Sequence, residues 1–430
     1  MMGNRYDKYK DSGIAWIGEI PEHWSKNKII RLFSIIGSGT TPKSSKEDNY
    51  NGSINWIQSG DINGGDIEIC KNTISYTAFK EYPALKIYQA PFIIVAMYGA
   101  SVGNISISQI DGCVNQACCV MNETKQNFKY LFYAMNSVKK YLIYRAEGGG
   151  QPNISQDKIK NTWLPIPPLF EQQSISTYLD QKCGEIDELI TLQEKMITKL
   201  QSYKQSVITE AVTKGLDKNV PLKDSGIEWI GKIPEHWNIC QLKRCANIIN
   251  GYAFNSNHFS KDLGVPVIRI GDIINEMVSF ENIVYVQGNN ELDKFQVHKN
   301  DILIAMSGAT VGKIGIYDIE DKAYVNQRVG IIRTKQYGFI KRMFATYGFA
   351  NYVTLSSAGS AQPNISSDGI LNFYIPLPPI REQQTIADYL DQRCSEIDEL
   401  ISIKQQKIEK LKEYKKSLIF ECVTGKRKVS

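Results

Sequence analysis

The sequence predicts an α+β protein with a pseudo-twofold internal repeat: a globular body and a long helix, then a second body and a second long helix. Three observations carry this expectation. From Glu171 to Val212 apolar residues fall at Ile186, Ile190, Ile197, Leu200, Val207 and Ala211, a seam at helical spacing. The seam recurs 211 residues on, at Ile397, Ile401, Ile408, Leu411, Leu418 and Cys422. Between and before the helices lie short apolar runs bounded by glycine and polar residues, the pattern of buried strands.

The helices are the most sharply drawn elements. No glycine follows Gly184 until Gly215, and no proline follows Pro168 until Pro221. Pro167 and Pro168 stand where proline costs a helix nothing, and Lys214 and Gly215 stand where a helix ends well. About 40 residues at ~1.5 Å each make a rod of ~60 Å. Two such rods in one chain are expected to pack against each other as an antiparallel coiled coil.

A 430-residue chain is long enough for several cores. Its 42% hydrophobic content and mean hydropathy of −0.28 suit a globular protein. No apolar run approaches the ~20 residues that span a bilayer, and the first residues lack a signal-peptide core, so a cytoplasmic location is expected. Nine scattered cysteines show neither CxxC nor zinc spacing and read as reduced core residues. The net charge of +5 says little about nucleic acid by itself. The 23 tyrosines suit base edges and phosphates, although a tyrosine-rich core explains them too.

Each half opens on a clasp, KDSGIAWIGEIPEHW from Lys10 and KDSGIEWIGKIPEHW from Lys223. Thirteen of the fifteen positions are identical. Trp16, Ile17, Ile20 and Trp24 are expected to pack, and His23 and His236 to be structural. In the first body, strands are expected at Ile54 to Gln58, Phe92 to Met97 and Val114 to Met121, and a helix at Tyr130 to Tyr144. In the second, strands are expected at Val265 to Ile270, Ile302 to Met306 and Val325 to Arg333, and a helix at Ile340 to Tyr352.

The bodies share only landmarks. Ser59-Gly60-Asp61-Ile62 matches Ile270-Gly271-Asp272-Ile273, MYGASVGNIS from Met97 matches MSGATVGKIG from Met306, and Asn115-Gln116 matches Asn326-Gln327. Gln-Pro-Asn-Ile-Ser ends both bodies, at Gln151 and Gln362. The Met306 stretch is not a phosphate loop, because only three residues separate Gly308 from Gly312 and Ile314 follows Lys313. It reads instead as a tight turn between strands. The Gln-Pro-Asn segments suit either a turn or contact with adenine. Catalytic signatures are missing: Ile166 and Leu377 precede the Pro-Pro pairs, where an adenine methyltransferase needs an amide or carboxylate. Four histidines leave little room for a histidine-based site.

Body, PIPPLFEQQ helix, second body and PLPPIREQQ helix together resemble the specificity subunit of type I restriction–modification systems. The EQQxIxxYLDxxCxEIDELI block, its repetition, and GIxWIGxIPEHW carry the resemblance, which covers essentially the whole chain. It implies target-recognition domains at 1–165 and 216–375, and helical spacers at 166–215 and 376–430. It also implies a non-catalytic subunit that reads a bipartite, asymmetric DNA target, one half per domain. Two modification (methyltransferase) subunits would bring S-adenosylmethionine. Restriction (translocase/endonuclease) subunits would bring ATP and Mg-dependent translocation and cleavage, with no cofactor or metal held by this chain.

DNA contact is expected on polar loops: Ser38, Thr40, Thr41, Lys43, Tyr98, Ser101, Gln151 and Asn153 in the first body. In the second body the expected residues are Tyr252, Asn255, Arg269, Thr310, Lys313, Arg328, Gln362 and Asn364. Partner docking is expected at the helix starts, Glu171, Gln172, Gln173, Glu382, Gln383 and Gln384, which suit packing of the helices equally well. Lys404, Lys407, Lys410, Lys412, Lys415 and Lys416 read as a solvated face that also suits DNA.

Overall fold

The structure, a computed structural model, describes residues 5–144, 153–274, 276–357 and 363–429. Two compact units do not follow chain order. One comprises residues 1–193 and 406–430, the other residues 194–405, so the division passes through the middle of each long helix. The helices run Leu169–Lys214 and Ile380–Val423; the first extends two residues beyond the sequence expectation at each end, and the second starts two residues earlier and ends where expected. Among the described residues no helix is long and apolar enough to cross a membrane.

In the first unit a five-stranded sheet has the order Ile35–Gly37, Cys118–Asn122, Phe92–Ala96, Ile105–Ser108, Asp66–Ile67. Strand Phe92–Ala96 is buried at every position, since both faces of the sheet are covered. Ile93 and Val95 face the helix Phe128–Tyr144, while Ile94 and Ala96 face Ile57 and Val114 of a three-stranded sheet. This is the two-residue period of a pleated strand working between two layers.

The second unit repeats the plan with a six-stranded sheet: Ala246–Asn250, Val329–Thr334, Ile302–Ala305, Ile314–Ile316, Met277–Val278, Ile273–Ile274. Ile302 and Ile304 face helices, and Leu303 faces a four-stranded sheet through Ile268 and Val325.

Three expected elements are divided. The apolar runs Val114 to Met121 and Val325 to Arg333 each belong to two strands in different sheets. The chain changes sheet at the repeated Asn-Gln. Cys118 N–H returns to the Asn115 carbonyl at 3.2 Å, and Val329 N–H to the Asn326 carbonyl at 2.8 Å. The helix expected at Ile340 to Tyr352 is two helices, Tyr337–Met343 and Tyr347–Ser356. Thr346 separates them, because its hydroxyl donates to the Met343 carbonyl and accepts from Phe349 N–H at the new N-terminus.

Each clasp closes on the start of a long helix in its own unit. The Glu171 carboxylate accepts from Tyr6 Oη at 2.7 Å and Trp24 Nε1 at 3.0 Å, and meets His23 Nε2 at 2.6 Å. Glu382 repeats this with Trp237 Nε1 at 2.8 Å and His236 Nε2 at 2.7 Å. Trp24 and Trp237 are completely buried. Burial alone would raise the Glu171 carboxyl, but hydrogen bonds from Tyr6, His23 and Trp24 outweigh it and hold the group below its ordinary value.

The far ends of the helices seat on the same clasps. Gly215 (φ +74°) ends the first helix against Trp237, and Gly425 (φ +72°) follows the second against Pro21. A Cβ on Gly425 would lie 2.3 Å from the Pro21 ring, so only glycine fits this turn. The helices pair antiparallel within each unit. Lys415 meets Asp187 at 2.6 Å in the first, and Lys204 meets Asp398 at 2.7 Å in the second. These are the same two sequence positions with the roles of the repeats exchanged.

Candidate nucleic-acid interface

The landmarks shared by the two bodies converge in space. Met97 N–H donates to the Ala117 carbonyl at 2.7 Å, and the Met97 carbonyl accepts from Ile154 N–H at 2.7 Å. Met306 does the same with the Arg328 carbonyl at 2.9 Å and Ile365 N–H at 3.0 Å. One methionine therefore joins three turns: the glycine turn of a hairpin, the Asn-Gln crossover and the Asn-Ile-Ser segment. Backbone bridges Tyr98–Asn153 and Ser307–Asn364 complete the join.

Local chemistry explains why each turn forms. Gly99, Gly103, Gly308 and Gly312 all have positive φ, which lets the antiparallel hairpins close in a tight loop. Ile154 and Ile365 are buried anchors, and Ser155 and Ser366 cap the short helices that follow. The Ser/Ile-Gly-Asp-Ile landmark is a self-capped turn in which Asp61 accepts from Gln58 N–H at 2.8 Å and Asp272 from Arg269 N–H at 2.9 Å.

In the first body the stretch from Ser38 to Lys43 is held from within by aromatic donors. Tyr88 Oη donates to the Ser38 carbonyl at 2.9 Å, Trp56 Nε1 to Thr40 at 3.3 Å, and Tyr50 Oη to Pro42 at 2.6 Å. Lys43 N–H donates to Tyr82 Oη at 3.1 Å. Ordering alternate carbonyls in this way stiffens an irregular loop without a sheet. Thr41 donates to the Gln116 side chain, which ties the loop to the crossover turn. Sequence reasoning missed these four aromatic supports and Gln116, because their partners lie far away along the chain.

The structure places the expected contact residues unevenly. Thr41, Lys43 and Asn153 are exposed in the first body; Ser38, Thr40 and Tyr98 are partly covered. Burial raises the Tyr98 phenol, with Cys118 adding to it, so it stays a neutral donor. Ser101 faces inward, its hydroxyl donating to the Ser59 carbonyl at 2.7 Å. In the second body Tyr252, Asn255, Lys313, Arg328 and Asn364 are exposed. Tyr252 packs edge-on to Phe254 at 5.0 Å and bridges to Asn326, which brings it beside the crossover turn. The Thr310 hydroxyl is buried without a hydrogen-bond partner among the described residues.

Arg269 is not a free cation. Its guanidinium pairs with buried Asp272 at 3.2 Å and donates to the Asn282 carbonyl at 2.7 Å. Gln151 and Gln362 lie outside the described residues.

Most residues expected to meet a partner at the helix starts are used internally. Glu171 and Glu382 hold the clasps. Gln172 is buried, donating to Pro167 and Gln126 and accepting from Asn127 N–H at 2.9 Å. Gln383 is buried and donates to the Pro378 carbonyl at 2.7 Å. Gln173 and Gln384 remain exposed.

With this geometry in view, the sequence model of the type I restriction modification DNA specificity domain matches residues 21–202 and again 234–413. The chain belongs to that family. Both matches begin inside a clasp and end within a long helix, so the internal repeat is a repeat of the family's domain. Among relatives of this family, the type I restriction enzyme MjaVIII specificity subunit of Methanocaldococcus jannaschii is 31% identical, with 70% of each chain covered. The EcoBI specificity subunit of Escherichia coli is 25% identical over 85% of this chain and 78% of its own. A chain from a solved type I restriction–modification assembly covers 94% of this one and 98% of itself at a TM-score of 0.71. At 16% identity, that last likeness is one of fold.

Proposed function

We propose that this chain is the non-catalytic DNA-recognition subunit of a type I restriction–modification complex. Each body reads one half of a bipartite, asymmetric site, and partner subunits supply methylation and cleavage. The observation that carries this reading is the convergence of three turns on Met97 and again on Met306. The backbone join is the same in both bodies, while the side chains it presents differ. Phosphate contacts position a reader and base-edge contacts specify it, so one scaffold with two sets of side chains suits two different half-sites. Thr41, Lys43, Gln116 and Asn153 are assigned to the first half-site; Tyr252, Asn255, Lys313, Arg328 and Asn364 to the second.

The long helices supply the partner surface in this reading. Leu189, Leu192 and Tyr414 are exposed in the first unit, and Met196, Tyr203, Leu400 and Ile403 in the second. Large exposed apolar side chains at helical spacing on a formed helix pair suit the helices of two modification subunits. Those subunits are assigned S-adenosylmethionine. The restriction subunits are assigned ATP and Mg, and the complex is placed with DNA in the cytoplasm.

Mapping methylated adenines across a host genome with and without this gene tests the proposal. The expected result is loss of methylation at one bipartite motif. An unchanged map, or methyl transfer by the purified chain alone with S-adenosylmethionine, overturns it.

A further inference from the structure

Two of the nine cysteines face each other at the base of the second body. Cys240 lies on the strand Asn238–Gln241, and Cys245 follows the single 3₁₀ turn Leu242–Arg244. Their sulfur atoms are 3.7 Å apart, and both residues are partly exposed. No other cysteine pair among the described residues is in hydrogen-bond contact. The backbone on either side is fixed. Cys240 sits opposite Ile375 in an antiparallel pair, Cys245 N–H returns to the Leu242 carbonyl at 2.9 Å, and the Cys245 carbonyl accepts from Thr334 Oγ1 at 2.8 Å. Bond formation at ~2.05 Å then asks for side-chain rotation at two held residues, with no rearrangement of the strands. The matching positions of the first body are Asn27 and Leu32, so the pair is no part of the repeated scaffold.

We propose that Cys240 and Cys245 are an oxidisable dithiol, a site at which a hydroperoxide converts the second body to a disulfide-bridged form. Cys245 is the attacking group in this proposal. The contact between the two sulfurs lowers the Cys245 thiol against the opposing effect of burial and raises that of Cys240. Cys70 is also partly exposed but has no second cysteine beside it among the described residues, and the other six thiols are buried. Burial pushes Cys113 and Cys183 up to about 11, and Cys119 and Cys422 up to about 12.

The Cys245 thiolate attacks one peroxide oxygen, the O–O bond breaks, and hydroxide leaves, giving a sulfenic acid. The Cys240 sulfur then attacks the Cys245 sulfur, the S–OH bond breaks, and water leaves with the Cys240 proton. With hydrogen peroxide, the hydroxide takes up the proton lost from Cys245, so two thiols and one peroxide become a disulfide and two waters. The bridge joins the body's opening strand to the start of Ala246–Asn250, the strand that leads into Gly251 and Tyr252.

The test uses the full chain, treated with equimolar hydrogen peroxide, blocked with N-ethylmaleimide and cleaved after Lys and Arg. Because Lys243 and Arg244 lie between the cysteines, a bridge appears as two linked peptides lighter by two hydrogens, restored by dithiothreitol. The expected result is that link, with Cys70 and the six buried cysteines alkylated as in untreated protein. The Cys240→Ser variant should stop at the sulfenic acid, trapped by dimedone on Cys245. Two results would each overturn the proposal: alkylation of Cys240 and Cys245 to the same extent as Cys70 after peroxide, or no dimedone adduct on Cys245 in C240S.

Discussion

The crossover turns of the two bodies have the same backbone and different faces. In the first, Gln116 is bound to Thr41 and the next residue, Ala117, is buried. In the second, Gln327 and Arg328 are both exposed. The hairpin turns differ in the same sense. Asn104 is tied inward, donating to the Ile62 carbonyl at 2.9 Å and accepting from Lys139 at 2.6 Å, whereas its counterpart Lys313 points to solvent. The first reading end carries Lys43 and is braced by aromatic hooks; the second carries Lys313 and Arg328, which have no ion-pair partner among the described residues, beside an aromatic cluster. The contrast teaches that the constant part of the repeat lies in the clasps, the helices and the methionine joins. The variable part is confined to residues that those joins carry without depending on them.

The largest test of that division strikes the constant part. Trp24→Ala and Trp237→Ala should each destabilise their own unit by about 3–5 kcal/mol, because both remove a fully buried indole. Denaturant titration of each variant checks this, and unequal losses in the two variants would break the claim that the clasps are equivalent.

Arg328→Ala strikes the variable part. It should cost about 1–3 kcal/mol of discrimination at one position of the second half-site, the amount a bidentate arginine–guanine contact supplies. Methylation mapping should show that position relaxed and the first half-site unchanged. A falling salt slope with an intact motif would make Arg328 a phosphate contact instead. Gln116→Ala should reverse the pattern, relaxing only the first half-site.

Acid sensitivity separates the clasps from the reading ends. The lowered Glu171 carboxyl contributes stability that is complete above the unfolded glutamate value, roughly pH 4, and is lost as the pH falls through the lower folded value. Glu171→Gln should cost about 1–2 kcal/mol at neutral pH, where a charge-assisted bond becomes a neutral one, and should flatten the acid limb of the stability curve. A thermal-shift series across pH reads both effects.

The smallest effect is expected at the helix ion pairs. Lys204 and Asp398 are solvent-screened, so Lys204→Ala should cost about 0.5 kcal/mol or less in a double-mutant cycle with Asp398→Ala.

The repeat, both long helices and the hairpin turn were legible because each rests on local pattern: helical period, glycine placement, a helix-ending glycine. The sheet crossings were not. Val114 and Cys118 are both buried, but in different sheets, and a linear run of apolar residues looks the same whether or not the chain changes layer between them. The break at Thr346 was hidden for a similar reason, since the residues around it keep a helical period. At the reading ends, residue type identified polar loops but not direction. Ser101 turns inward to Ser59, and Arg269 is spent on Asp272, contacts that depend on a tertiary partner. Gln172 was the hardest to see, because its three hydrogen bonds make an apparently surface-type residue part of the core.

The discontinuity of the first unit has a consequence for synthesis. Its core includes Leu418, Cys422 and Val423, and the Tyr9 hydroxyl reaches the Gly425 carbonyl across 416 residues of chain. The second unit, residues 194–405, is contiguous. Domains ordinarily mature from the N-terminus as they leave the ribosome. Here the order inverts: the half translated first must wait with an unfinished core until residues 406–430 are made, while the half translated later already has all its parts.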